Sequence, residues 1–102
     1  MIIVEKNEGT KIPYEVSDTK VTLDDDLSIN LTKREQDWAE HIDVCYDADR
    51  TLVIGAAVGR AYVAQFDIPP RQYTEEEVDG EVQRTPVPLD MDTVTMSLWA
   101  ID

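Results

Sequence analysis

Three features of the sequence predict a mainly β chain. Apolar and polar residues alternate with period two over much of the length, turn residues interrupt the alternation at short intervals, and no stretch carries a helical apolar stripe. With 102 residues, the chain is expected to form a single domain over 1–102, large enough to bury a core without disulfide staples. The expected architecture is an antiparallel sandwich or small barrel of about seven strands, with one short helix around residues 33–40.

The elements follow in order. Ile12-Pro13-Tyr14-Glu15-Val16 reads as a short strand, and Ser17-Asp18-Thr19-Lys20 has turn chemistry. Val21, Leu23, Leu27, Ile29 and Leu31 then share one face of an extended segment, with polar residues between them. Asp25 breaks that pattern, so Asp24-Asp25-Asp26 marks a bulge, a turn or the join of two strands. Residues 11–31 read as an antiparallel pair. Thr32-Lys33-Arg34-Glu35 matches a capping box, with Thr32 and Glu35 satisfying the first free amides of a helix anchored by Trp38. Alternation returns with Ile42, Val44 and Tyr46 pointing together.

Thr51–Val58 and Ala61–Ile68 flank Gly59-Arg60, and glycine first in a two-residue loop suits a type II′ hairpin turn. That register would set Val53 against Phe66, Gly55 against Ala64 and Ala57 against Tyr62. The small residues Gly55, Ala56, Ala57, Ala61 and Ala64 imply a close approach to this backbone. Pro69-Pro70 stops the strand, and residues 69–88, rich in proline and acid, read as a long acidic surface loop. The last strand is expected over Thr93–Ile101, with Val94, Met96 and Leu98 on one face and Trp99 and Ile101 on the other.

Charge excludes more than it identifies. Twenty-two acidic residues against nine basic ones give a net charge of −13, which tells against direct contact with nucleic acid or an anionic membrane. Residues 1–60 hold 13 acids and seven bases, net −6, and residues 61–102 hold nine acids and two bases, net −7. The acid is therefore spread along the chain rather than cleared of bases on one segment. The single cysteine, Cys45, allows no internal disulfide. The opening residues carry no signal-peptide pattern, and no apolar run reaches the length of a spanning helix. A cytoplasmic protein, or a component of an assembled particle, is the expectation.

Candidate chemistry is sparse. His41, Asp43 and Cys45 share a face if they lie on a strand. At ~3.3 Å per residue, however, His41 and Cys45 would stand about 13 Å apart, beyond the reach of a nucleophile and its base. The acids of Asp24-Asp25-Asp26, Asp47-Ala48-Asp49 and Asp90-Met91-Asp92 are oxygen donors of the kind Ca²⁺ takes, without an EF-hand pattern. One histidine and one cysteine do not close a zinc site. Gly55 and Gly59 are not followed by the Lys and Ser/Thr of a phosphate-cradling loop. No catalytic, metal or cofactor residue is assigned, and no enzymatic activity is expected.

Two functions remain. One is a structural or protein-interaction module, for example a subunit of a viral or mobile-element assembly, contacting a protein partner or further copies of itself. Its expected contact residues are Trp99 and Ile101 near the centre, with Glu75, Glu76 and Glu77 at the rim. The other is an acidic mimic of nucleic acid that occupies the basic groove of a DNA- or RNA-binding protein.

Overall fold

Short loops, several holding residues with left-handed backbone, divide the chain into strands. The computed structural model describes residues 1–57, 59 and 61–101. Among these the strands are β1 (Ile2–Glu5), β2 (Tyr14–Ser17), β3 (Lys20–Leu23), β4 (Leu27–Asn30), β5 (Glu40–Tyr46), β6 (Leu52–Ile54), β7 (Ala61–Ile68), β8 (Tyr73–Val78), β9 (Glu81–Pro86) and β10 (Thr95–Leu98). A single four-residue helix, α1, covers Leu31–Arg34. The chain is thus mainly β, with ten strands among the described residues where about seven were expected: the segment 21–31 divides at a turn into β3 and β4, β1 forms ahead of the first expected strand, and β8 and β9 lie where a loop was expected.

β2, β3 and β4 form an antiparallel meander. Asp24-Asp25-Asp26 is the turn between β3 and β4, with Asp24 at φ 52° and Asp25 at φ 50°. Short acidic side chains tolerate that left-handed region better than most. The expected antiparallel pair over 11–31 is thereby a three-stranded sheet. The larger sheet has the order β1-β10-β7-β5-β6. Its pairs are antiparallel except β1 with β10, which run parallel.

The two sheets face one another in a sandwich-like arrangement across one core. Val21, Leu23, Ile29 and Leu31 come from the meander and α1, and Ile42, Val44, Phe66, Ile68, Met96 and Leu98 from the larger sheet. Val94, Met96 and Leu98 are buried together as the alternation predicts.

Five expectations are corrected. The helix lies at Leu31–Arg34 rather than 33–40, and Asn30 caps it through Oδ1, which accepts from the Thr32 amide at 3.2 Å. No capping box forms between Thr32 and Glu35, because the chain leaves the helix at Glu35. Trp38 is 60% exposed and anchors no core. The hairpin expected across Gly59-Arg60 is replaced by different pairing: β6 bonds to β5, and β5 lies between β6 and β7. Gly55 at φ +103° ends β6 after three residues, whereas β5 matches β7 over seven residue pairs. Arg60 lies outside the described residues, and with it the conformation of the predicted turn. The last strand spans only Thr95–Leu98. Met91–Thr93 forms a 3₁₀ turn before it, and Ala100 and Ile101 donate their amides to Asn7 Oδ1 and Thr10 O after it.

The acidic segment departs furthest from expectation. Within 69–88, β8 and β9 form a regular antiparallel hairpin instead of a loop. Asp79 and Gly80 are its two central residues, at φ 53° and +81°. Positive φ at both is the requirement of a type I′ turn, whose twist matches the flanking strands. Every residue from Thr74 to Pro86 is exposed, so the hairpin is an arm with both faces in water. The molecule is accordingly elongated, with extents of 59 × 23 × 22 Å.

Candidate functional site

Two surface features carry the side chains that could act on another molecule. The first is the outer face of the larger sheet. β5 turns Ile42 and Val44 into the core, so His41 and Asp43 point outward, and the β5–β7 register sets His41 opposite Asp67 and Asp43 opposite Gln65. The imidazole bridges two carboxylates: Nδ1 lies 2.6 Å from Asp67 Oδ1 and Nε2 lies 2.7 Å from Asp43 Oδ1. Both ionised carboxylates only accept, so the doubly protonated ring is the form that satisfies both.

The network continues from Asp43. Gln65 Nε2 donates to Asp43 Oδ1 at 2.9 Å, and Gln65 Oε1 accepts from Trp99 Nε1 at 3.0 Å. Those two contacts orient the amide. Trp99 in turn stacks on Tyr62, with ring centroids 5.7 Å apart.

The hydrogen bond with Asp67 is the largest influence on His41 and holds its pKa above the ordinary 6.5, against the opposing effect of burial. The hydrogen bond from Gln65 leads in holding Asp43 below its ordinary 3.8. Burial pushes the Cys45 thiol up. Cys45 is 2% exposed, and Gly59 lies so close that a Cβ there would stand 2.5 Å from Cys45 Cβ. His41, Asp43 and Cys45 therefore do not assemble as nucleophile, acid and base: the thiol is enclosed, and carboxylates occupy both ring nitrogens of the histidine.

Two of the three acid clusters use a carboxylate to hold their own backbone. Asp47 Oδ1 accepts from the amides of Asp49 and Thr51, and Asp90 Oδ1 accepts from that of Asp92. Among the described residues, no three of His, Cys, Asp and Glu are grouped to hold a metal ion. No helix among them is long and apolar enough to cross a membrane.

The second feature is the β8–β9 arm. Its base is fastened by Arg71, whose Nη2 donates to Glu35 O at 2.9 Å and whose Nη1 donates to Asp37 Oδ1 at 3.1 Å. The Arg71 amide donates to Gln36 O at 2.7 Å, and Tyr73 Oη donates to Asp37 Oδ1. Along the arm, strand alternation separates the three glutamates. Glu75 and Glu77 share a face with Tyr73 and Arg84, and Glu76 points to the opposite face. Arg84 lies 4.3 Å over the Tyr73 ring and 3.6 Å from Glu75 Oε1, so Glu75 is partly neutralised.

The residues expected to form one contact surface are not brought together. Trp99 sits beside Tyr62 at the start of β7, whereas the arm follows the end of β7, and an eight-residue strand separates them by about 23 Å at 3.3 Å per residue. Ile101 packs against the core, because the chain turns away from β7 after Trp99, whose amide still donates to Val63 O at 3.0 Å, and the Ile101 amide bonds instead to Thr10 O. Trp99 itself is half-buried. Sequence reasoning missed Asp67 and Gln65, whose roles depend on cross-strand register. It also missed the exposure of Trp38, whose Nε1 donates to Glu40 Oε1 at 2.7 Å. Comparison with family models, curated proteins and solved structures finds no match.

Proposed function

We propose that this chain is a non-enzymatic protein-interaction module, a structural subunit that grips a protein partner or neighbouring copy with the β8–β9 arm. The observation that carries the reading is the arm itself: a regular hairpin, exposed from Thr74 to Pro86, fastened at its base by Arg71. An isolated two-stranded ribbon is marginally stable in water and gains stability when a third surface covers it. A subunit of a viral or mobile-element assembly is the form of this reading we favour, and the elongated shape, 59 × 23 × 22 Å, suits it. The half-buried Trp99 on Tyr62 is a second, separate contact candidate. Trp99→Ala is expected to weaken assembly by ~2 kcal/mol if that patch is an interface centre.

The nucleic-acid-mimic reading draws less support. Arm acids are split between two faces, Glu75 and Glu77 beside Arg84 on one and Glu76 and Glu81 on the other, so neither face holds a dense row of acids. A photo-crosslinking side chain at Glu76, introduced in the source cell, tests the reading. A protein adduct at Glu76, together with an unchanged melting temperature when residues 74–85 are replaced by a short Gly-Ser turn, is the expected result. The absence of any protein adduct, or a global loss of stability on arm removal, overturns it. An adduct to a DNA- or RNA-binding protein through its nucleic-acid groove would favour the mimic instead.

A further inference from the structure

β1 is one outer strand of the five-stranded sheet, four residues long, and its open edge is apolar over its first three residues. Ile2, Ile3 and Val4 are 51%, 40% and 37% exposed, which makes the strand apolar on both faces. From Ile2 to Val4 there is no charge, proline or bulge, the devices that normally blunt an edge. The edge strand β2 of the smaller sheet, by contrast, follows Pro13 and carries Glu15 within the strand, whereas the one charge of β1, Glu5, is its last residue.

Backbone geometry shows which groups are open. The Ile2 amide donates to Val94 O and the Lys6 amide to Leu98 O, each at 2.8 Å. Even-numbered residues of β1 therefore turn their amides to β10. Period-two geometry turns the N–H and C=O of Ile3, and the N–H of Glu5, to the open side.

We propose that β1 pairs antiparallel with β1 of a second copy across a two-fold axis at Ile3, joining two larger sheets into one. A two-fold contact must be self-complementary, and this edge meets that condition. The N–H and C=O of Ile3 exchange bonds with those of the second copy's Ile3, and each Glu5 N–H reaches a Met1 C=O. The same register sets Ile2 opposite Val4 of the other copy, an apolar cross-strand pair. Charge favours the same register. A net −13 opposes association wherever acids face each other, but here the two Glu5 carboxylates stand about 13 Å apart along the ladder, beyond the ~8 Å screening length at physiological salt.

This contact is independent of the arm. Ile3→Pro removes the outward N–H and spares the bonds from β1 to β10, because proline is tolerated on an edge strand whose N–H faces solvent. Sedimentation equilibrium of wild type and Ile3→Pro is compared at physiological salt, with amide exchange of the wild type at low and high protein concentration. The wild type is expected to dimerise, with Ile3→Pro weakening the dimer about tenfold or more. Ile3 and Glu5 amides should gain protection only at high concentration. A wild type that stays monomeric into the millimolar range overturns the proposal. So does a dimer that Ile3→Pro leaves intact, or one in which the Ile3 and Glu5 amides exchange equally fast at both concentrations. Should Ile3→Pro fail to fold, the wild-type exchange pattern decides. Loss of the dimer alongside an intact Glu76 adduct separates this contact from the arm's.

Discussion

His41 and Asp67 lie opposite one another on neighbouring strands, and the imidazole Nδ1 is 2.6 Å from Asp67 Oδ1. The pair is half open to water, with side-chain exposures of 49% and 54%. Its energetic contribution is therefore screened, and it acts more as a pH-dependent tie between β5 and β7 than as a large source of stability.

The sign of that dependence follows from the two shifted groups. His41 is raised above 6.5, so its contribution is complete below 6.5 and fades as pH rises through the higher folded value. Asp43 is lowered from 3.8, so its contribution is complete above 3.8 and fades as pH falls through the lower folded value. Both are present between those two ordinary values. The melting temperature is expected to decline as pH is raised from the mildly acidic range into the alkaline range, by less than ~1 kcal/mol equivalent. His41→Asn should flatten that decline. A wild-type profile that rises over the same range would contradict the bridging geometry.

Gly59 is required for close approach. A Cβ at this position would stand 2.5 Å from Cβ and 2.8 Å from Sγ of Cys45. Gly59→Ala should cost about 1–3 kcal/mol in urea unfolding through overpacking. Cys45→Ala in the same chain should restore little of the loss, because the nearer clash is with Cβ. Full rescue by Cys45→Ala would show that the sulfur alone makes the contact.

The arm should melt on its own. Gly80 has φ +81° and open space around its missing Cβ, so Gly80→Val is penalised by backbone conformation alone, by roughly 1–2 kcal/mol. Amide exchange across β8 and β9 should accelerate while the global melting temperature stays where it is. A matching fall in global stability would mean that the arm is part of the cooperative core.

Salt should stabilise the isolated chain. At net −13 self-repulsion dominates the exposed ion pairs, and added salt screens it. The melting temperature at neutral pH is expected to rise from low to moderate ionic strength. A flat or falling trend in a calorimetric series would show that ion pairs such as Arg71–Asp37 outweigh the repulsion.

The sequence by itself determined the mainly β class and the inward faces of β3, β4, β5 and β10, because period-two alternation is a relation between residues two apart. It also carried the turn at Asp24-Asp25-Asp26 and the outward direction of Trp99. The hairpin signal at Asp79-Gly80 was present but masked: the flanking strands are rich in glutamate and polar residues, which have low strand propensity, and bury no face. Tertiary structure alone decided which strands pair. Thr51–Ile54 and Ala61–Ile68 are adjacent in sequence, yet β5 separates them, because pairing depends on matched length and on burial of a shared face. The same physics explains the surface network. His41 and Asp67 are 26 residues apart, and Trp99 and Gln65 are 34 apart, so their contacts arise from the register of a finished sheet.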